Sequence, residues 1–133
     1  MNISFFLTPK AQVSYLFEDC PVRQALDDMM KSGFTAIPVI DPKGRYTGTI
    51  TEGDFLRLVL SHSPEQLDHM NVGEVPRRIR HRSVGMDARM EDMIELVSAQ
   101  NFVPVTDGRG MFCGIITRRD VIRFLRDSCQ KPE

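Results

Sequence analysis

Hydrophobic positions along this chain change period in a set order, and the order occurs twice. Val22, Ala25, Leu26, Met29 and Met30 recur at i, i+3, i+4, i+7 and i+8, the stripe of an amphipathic helix. Asp19 stands where an N-cap belongs, Pro21 suits the first turn, and Gly33 supplies the stop. Phe34 to Ile40 is a nearly continuous apolar run, which predicts a strand. Asp41-Pro42-Lys43-Gly44 has turn chemistry, Tyr46 to Thr51 makes the returning strand, and a helix follows from Glu52 to Leu60. Lys10 to Leu16 suits a short strand ahead of the first helix. In the second half Asp87 is the expected cap, and Met90, Met93, Ile94 and Val97 form the helical face. Asn101 to Thr106 and Met111 to Ile116 flank a turn at Asp107-Gly108-Arg109-Gly110. Val121, Ile122, Phe124 and Leu125 complete the last helix.

Each half therefore reads β-α-β-β-α, a mixed α/β (α+β) architecture with repeats over 8–62 and 75–129 and a connection at 63–74. The connection is polar, with a helical turn expected at Glu65 to His69, and Asn2 to Leu7 suits an apolar docking segment. The halves are copies. Pro38, Val39, Asp41, Gly44, Gly48, Thr51 and Asp54 each stand 66 residues before Pro104, Val105, Asp107, Gly110, Gly114, Thr117 and Asp120. The first helices align better at an offset of 68, so the second copy lacks two residues between its helix and Pro104. A unit of this size buries too little surface to be stable alone, so two should pack together.

Composition narrows the chemistry. The net charge of −1 implies no bulk affinity for polyanions, although Arg77, Arg78, Arg80, His81 and Arg82 form one basic run. Nucleic-acid binding is not expected: no aromatic-interleaved platform or recognition helix accompanies that run. The three cysteines and three histidines are scattered without metal-ligand spacing. No nucleophile stands with a paired histidine, and no P-loop or dinucleotide fingerprint occurs, so no enzyme activity is expected. No secretory or membrane-length apolar run is present, which places the expected protein in the cytoplasm, without membrane partners.

The richest chemistry lies in Gly114 to Leu125. Thr117 can cap a helix, Arg118 and Arg119 bring two cations to its first turn, and Asp120 follows three residues after Thr117. A helix start offers unpaired N–H groups and a positive dipole end, which suits phosphate, while a carboxylate can accept from sugar hydroxyls. Those groups together suit a nucleotide. The first half has Thr51 and Asp54 in the same places but Glu52 and Gly53 instead of the arginines, and a carboxylate repels phosphate. Taken singly, each Thr and Asp is also a plain cap or first-turn acid. Their joint recurrence points to a ligand.

Two ordered copies of this pattern, Pro38, Asp41, Gly48, Thr51, Asp54 and Pro104, Asp107, Gly114, Thr117, Asp120, resemble the CBS domain pair, or Bateman module, from Thr8 to Ser128. The resemblance implies two repeats about a pseudo-two-fold axis, with two clefts that take adenine nucleotides. One cleft would combine Thr117, Arg118, Arg119 and Asp120 with Ser14, Tyr15, Phe34, Thr35, Ala36, Ile37 and Pro38. The second and weaker one would combine Thr51 and Asp54 with Arg82, Ser83, Asn101, Phe102, Val103 and Pro104. The phrases FTAIPV and GIITRR are most similar to small stand-alone bacterial members, some of which bind cyclic di-AMP through a double arginine. The implied function is regulatory: AMP, ADP, ATP or cyclic di-AMP is sensed on behalf of an unidentified protein partner, with no cofactor required. The alternative is a constitutive dimerisation or scaffold module with vestigial clefts. Such pairs generally associate through the helices after each Thr and Asp. The faces of Phe55, Leu56, Leu58 and Val59 and of Val121, Ile122, Phe124 and Leu125 therefore predict a homodimer.

Overall fold

The computed structural model describes residues 2–129. In chain order the elements are β1 (Thr8–Pro9), β2 (Leu16–Phe17), α1 (Val22–Ser32), β3 (Ala36–Ile40), β4 (Tyr46–Thr51), α2 (Glu52–Ser61), α3 (Pro64–Leu67), β5 (Val84–Gly85), α4 (Met93–Ala99), β6 (Phe102–Thr106), β7 (Phe112–Thr117) and α5 (Arg118–Cys129). Single 3-10 turns lie at Ile3–Phe5, Lys10–Gln12, Val72–Glu74 and Met90–Asp92. The chain divides into two units by contact, and they are not simply its two halves. Residues 14–80 form one, and residues 2–13 join 81–129 in the other.

In the 14–80 unit, β2 runs parallel to β3, which forms an antiparallel hairpin with β4. A parallel pair needs a crossover, and α1 supplies it. Val22, Ala25 and Met29 are buried at helical spacing, whereas Met30 is 81% exposed and lies off the buried stripe. Gly33 ends the helix at φ 74°, in the left-handed region where a side chain is strained. Asp19 is not the N-cap: Pro21 holds that position without a side-chain hydrogen bond. Instead the Val22 N–H donates to the Met70 carbonyl (3.0 Å), so the later connection anchors the helix start. Leu67, Val72 and Val75 are buried in the same core as Val39 and Ile50. Each fully buried aliphatic side chain contributes about 1.5–3 kcal/mol, so this connection is part of the unit's stability.

The other unit repeats the plan with one strand more, in the order β1-β7-β6-β5. Its core holds Met90, Met93, Val97, Val103, Val105, Ile116 and Val121, together with Ile3 from the N-terminal segment. Phe6 adds an edge-on contact to Phe124 at 5.9 Å. The expected docking segment thus docks on the repeat farthest from it in sequence. Lys10 to Leu16 is not a strand; Lys10–Gln12 is a 3-10 turn, and β2 begins only at Leu16. Asp87 does not cap α4 either, because a 3-10 turn at Met90–Asp92 comes first and the Arg89 N–H donates to the Asp92 carboxylate at 2.9 Å. Ile94 is 44% exposed, off the buried face.

The repeated turn residues have one shared cause. Asp41 Oδ1 accepts from the Lys43 and Arg45 N–H groups, both at 2.9 Å, and Gly44 takes φ 92°. Asp107 Oδ1 likewise accepts from Arg109 (2.8 Å) and Met111 (3.0 Å), with Gly110 at φ 81°. In both cases an aspartate side chain closes the hairpin loop and a glycine supplies the left-handed residue.

Candidate functional site

The hairpin strand β7 leads directly into α5, which sets Thr117 at the strand's last position and Asp120 in the first turn. Their side chains and backbones bond reciprocally. Thr117 Oγ1 accepts from the Asp120 N–H at 3.1 Å, and Asp120 Oδ2 accepts from the Thr117 N–H at 3.0 Å. This is a capping box, here closed by aspartate. It leaves the Thr117 hydroxyl proton to donate outward. Asp120 Oδ1 accepts nothing from the described residues, and the side chain is half-buried. Arg119 is exposed. Arg118, also exposed, is partly committed: its Nε–H donates to the Val97 carbonyl at 2.7 Å, one of the last carbonyls of α4. A hydroxyl donor, a carboxylate acceptor and a guanidinium therefore meet at one helix start, fit for a phosphorylated sugar.

Thr51 and Asp54 form the same box at the start of α2, with bonds of 3.0 and 3.1 Å. The carboxylate, however, is only 3% exposed and is fully engaged. Its Oδ1 accepts from Arg57 Nη2 at 2.5 Å and from the Arg78 N–H at 3.1 Å. Burial pushes the Asp54 carboxyl upward, but the bonds from the Arg78 N–H, Thr51 and Arg57 outweigh it, and the net direction is below the usual range. Asp54 is thus a buried anchor for the chain that leaves the connection, whereas Asp120 keeps an oxygen for something else.

The strand residues named from the sequence divide in the same way. In the 14–80 unit Ser14 is exposed, Tyr15 is half-buried edge-on to Phe17 at 5.8 Å, and Phe34 is 54% exposed. The Thr35 carbonyl accepts from the Glu52 N–H at 2.9 Å; Ala36 is half-buried, and Ile37 and Pro38 are buried. In the other unit Arg82, Ser83 and Asn101 are exposed, while Phe102, Val103 and Pro104 are buried. The Asn101 carbonyl accepts from the Arg118 N–H at 2.9 Å, the counterpart of the Thr35 bond.

A family model described as the CBS domain matches residues 7–61 and again 72–127. The chain belongs to the CBS domain family. Solved structures agree on the CBS fold. A hypothetical conserved protein from Geobacillus kaustophilus is 29% identical with a TM-score of 0.84, over 96% of this chain and 98% of that one. The CbpB protein of Listeria monocytogenes, solved in complex with cyclic di-AMP, is 22% identical at a TM-score of 0.82, over 96% of both chains. CBSX2 of Arabidopsis thaliana, solved with AMP, is 23% identical at 0.78, over 97% of this chain and 98% of that one. No curated protein matches. No helix among the described residues is long and apolar enough to cross a membrane.

Within this CBS pair, four residues matter that the motif alone did not single out. Arg57 and the Arg78 peptide complete the Asp54 shell, and neither is part of the repeated pattern. Arg77, from the same basic run, folds its guanidinium over Gly48, where an added Cβ would lie 3.0 Å from Nη1. Part of the run therefore serves the fold of the 14–80 unit. Gln100 is the fourth. It is 6% exposed, and its Oε1 accepts from the Arg82 N–H at 3.0 Å while Nε2 donates to the carbonyls of Arg82 (2.9 Å) and Phe102 (2.8 Å). A glutamine in a polar stretch gives no signal of burial; only the missing two residues before Pro104 hinted that this stretch differs.

Proposed function

We propose that this CBS pair is a regulatory module that binds an adenine nucleotide, with Thr117, Arg119 and Asp120 taking phosphate and ribose and Arg118 assisting. Ser14, Tyr15 and the Phe34–Pro38 segment are the proposed contacts for the base. One observation carries the reading: Asp120 is held rigidly by its capping box yet keeps Oδ1 without a partner among the described residues, beside the exposed Arg119. AMP on CBSX2 and cyclic di-AMP on CbpB support the ligand class. Thr51 and Asp54, with Arg82, Ser83 and Phe102–Pro104, are the proposed weaker site, because every Asp54 bond would have to be replaced. Output follows if the ligand has unequal affinity for two arrangements of the module; a partner protein reads the difference.

Calorimetry of the purified protein against AMP, ADP, ATP and cyclic di-AMP, with GMP as control, tests this. Saturable binding of at least one adenine nucleotide is expected. A flat response to all of them would leave the scaffold reading, for which the saturated Asp54 is the favouring observation. A homodimer is also proposed, through the helices after each Thr and Asp, α2 and α5, which expose Leu56, Leu60 and Ile122 at 60%, 77% and 59%. Light scattering at micromolar concentration should give twice the chain mass.

A further inference from the structure

The Gln100 side chain takes up three backbone groups, the N–H and carbonyl of Arg82 and the carbonyl of Phe102. Its carboxamide is held by three bonds of 2.8–3.0 Å, two of them to the same residue, Arg82, one as acceptor and one as donor. The orientation is not ambiguous: Nε2 must face the Arg82 and Phe102 carbonyls, and Oε1 must face the Arg82 N–H, because the reverse would oppose acceptor to acceptor. An amide thus presents an adjacent donor and acceptor to the N–H and carbonyl of one residue. The edge of an adenine presents the same pair, an exocyclic N–H beside a ring nitrogen.

The two-residue deletion explains why the glutamine reaches. The β3–β4 and β6–β7 registers and the matching bonds Glu52 N–H to Thr35 and Arg118 N–H to Asn101 make Gln100 the counterpart of Phe34 at the offset of 66. In the first repeat α1 ends at Ser32, and Gly33 and Phe34 lead out to β3. In the second, Gln100 itself is the C-cap of α4, with extended backbone (φ −140°, ψ 147°), so its side chain turns in from the helix end onto the strand edge. Phe34, at the matching place, is 54% exposed and its ring neither donates to nor accepts from a peptide in that way.

We propose that Gln100 is a built-in base mimic that closes the strand-edge part of the weaker site, so that this CBS pair takes one adenine nucleotide per chain and not two. The inference rests on the adenine-nucleotide reading above and deepens it: Gln100 sets the stoichiometry. A nucleotide entering there must first displace an amide that already satisfies Arg82 and Phe102, which removes the gain from the new bonds.

The test uses AMP as the probe and the full chain. In wild type labelled with nitrogen-15, saturating AMP should shift the Ser14 amide resonance and leave the Arg82 amide and the Gln100 side-chain NH2 unmoved; calorimetry should give one site. In Gln100→Phe, which installs the first repeat's residue, and in Gln100→Ala, the Arg82 amide should become AMP-responsive with at least tenfold tighter binding at the second site. The wild-type measurement decides even if neither variant folds: AMP-dependent shifts of Arg82 and Gln100, or two sites per wild-type chain, overturn the proposal. A folded variant that keeps one site and a silent Arg82 overturns it too. Absence of AMP binding to wild type and variants alike instead overturns the nucleotide reading itself.

Discussion

The starts of α2 and α5 carry the same capping box, and the two aspartates nevertheless do different work. Asp54 is buried and takes bonds from Thr51, Arg57 and the Arg78 peptide, so it ties the connection between repeats to the first sheet's hairpin. Asp120 has only its box partner among the described residues and stands half-buried. The neighbouring glycines diverge in parallel. A Cβ on Gly48 would meet the end of the Arg77 side chain at 3.0 Å, whereas a Cβ on Gly114 would lie 2.1 Å from the Thr8 carbonyl of β1. One repeat covers its hairpin edge with a flexible side chain, the other with a strand. A repeated motif specifies the turn from strand to helix; what covers that turn comes from outside the repeat, from the segment after it for Gly48 and from the distant N-terminal segment for Gly114.

The largest contrast is expected between Gly114→Ala and Gly48→Ala. Both place a side chain at nearly the same φ, 154° and 155°, so backbone strain cancels between them. The clash with backbone at Gly114 should make its variant less stable by about 2 kcal/mol more, the scale of overpacking a site that cannot yield. Denaturant unfolding measures this, and equal losses would mean that β1 is held loosely. Next comes the aspartate pair. Asp54→Ala strands the Arg78 and Thr51 N–H groups and should cost about 2–3 kcal/mol of stability. Asp120→Ala should cost about 1 kcal/mol, as a lost cap does, but weaken adenine-nucleotide binding by about ten- to hundredfold. Unchanged affinity in Asp120→Ala would remove Asp120 from the site.

A contrast between ligands comes next. Cyclic di-AMP carries two phosphodiesters, and Arg118 has already committed Nε to Val97. Replacing both Arg118 and Arg119 by Ala should nearly abolish cyclic di-AMP binding while reducing AMP binding only several-fold, by about 1 kcal/mol. Ready displacement of cyclic di-AMP by excess AMP at physiological salt would favour a mononucleotide sensor. The smallest expected effect is in pH dependence. Because the Asp54 carboxyl is held below its ordinary value, its contribution is full above the unfolded pKa of about 3.9 and is lost as pH falls through the lower folded value. The stability gap between wild type and Asp54→Asn should therefore narrow on acidification below about pH 4. A gap independent of pH would show that the asparagine amide disturbs the site as much at low pH as at neutral pH.

Much of the architecture was legible because it depends on local chemistry. Hydrophobic period, the Asp-Gly hairpins and the Thr-Asp boxes act within a few residues, and the 66-residue offset doubled each signal. The N-caps assigned to Asp19 and Asp87 failed for the complementary reason. Both helices start against something distant or shifted: Val22 against the Met70 carbonyl, and α4 after a 3-10 turn. The deletion was visible as a change of offset, but its consequence was not, since nothing local tells whether Gln100 faces solvent or a peptide.

The chain by itself determined that there are two β-α-β-β-α repeats with a Thr and an Asp at each second helix, since those choices rest on periodicity and on contacts between near neighbours. Only the tertiary structure decided that residues 2–13 join the second repeat's sheet, that residues 63–80 complete the first repeat's unit, and that Asp54 and Gln100 are used up by the fold. Hydrogen-bond capacity is spent by whichever partner arrives in space, and Arg78 lies 24 residues from Asp54. Sequence spacing alone carries no record of that meeting.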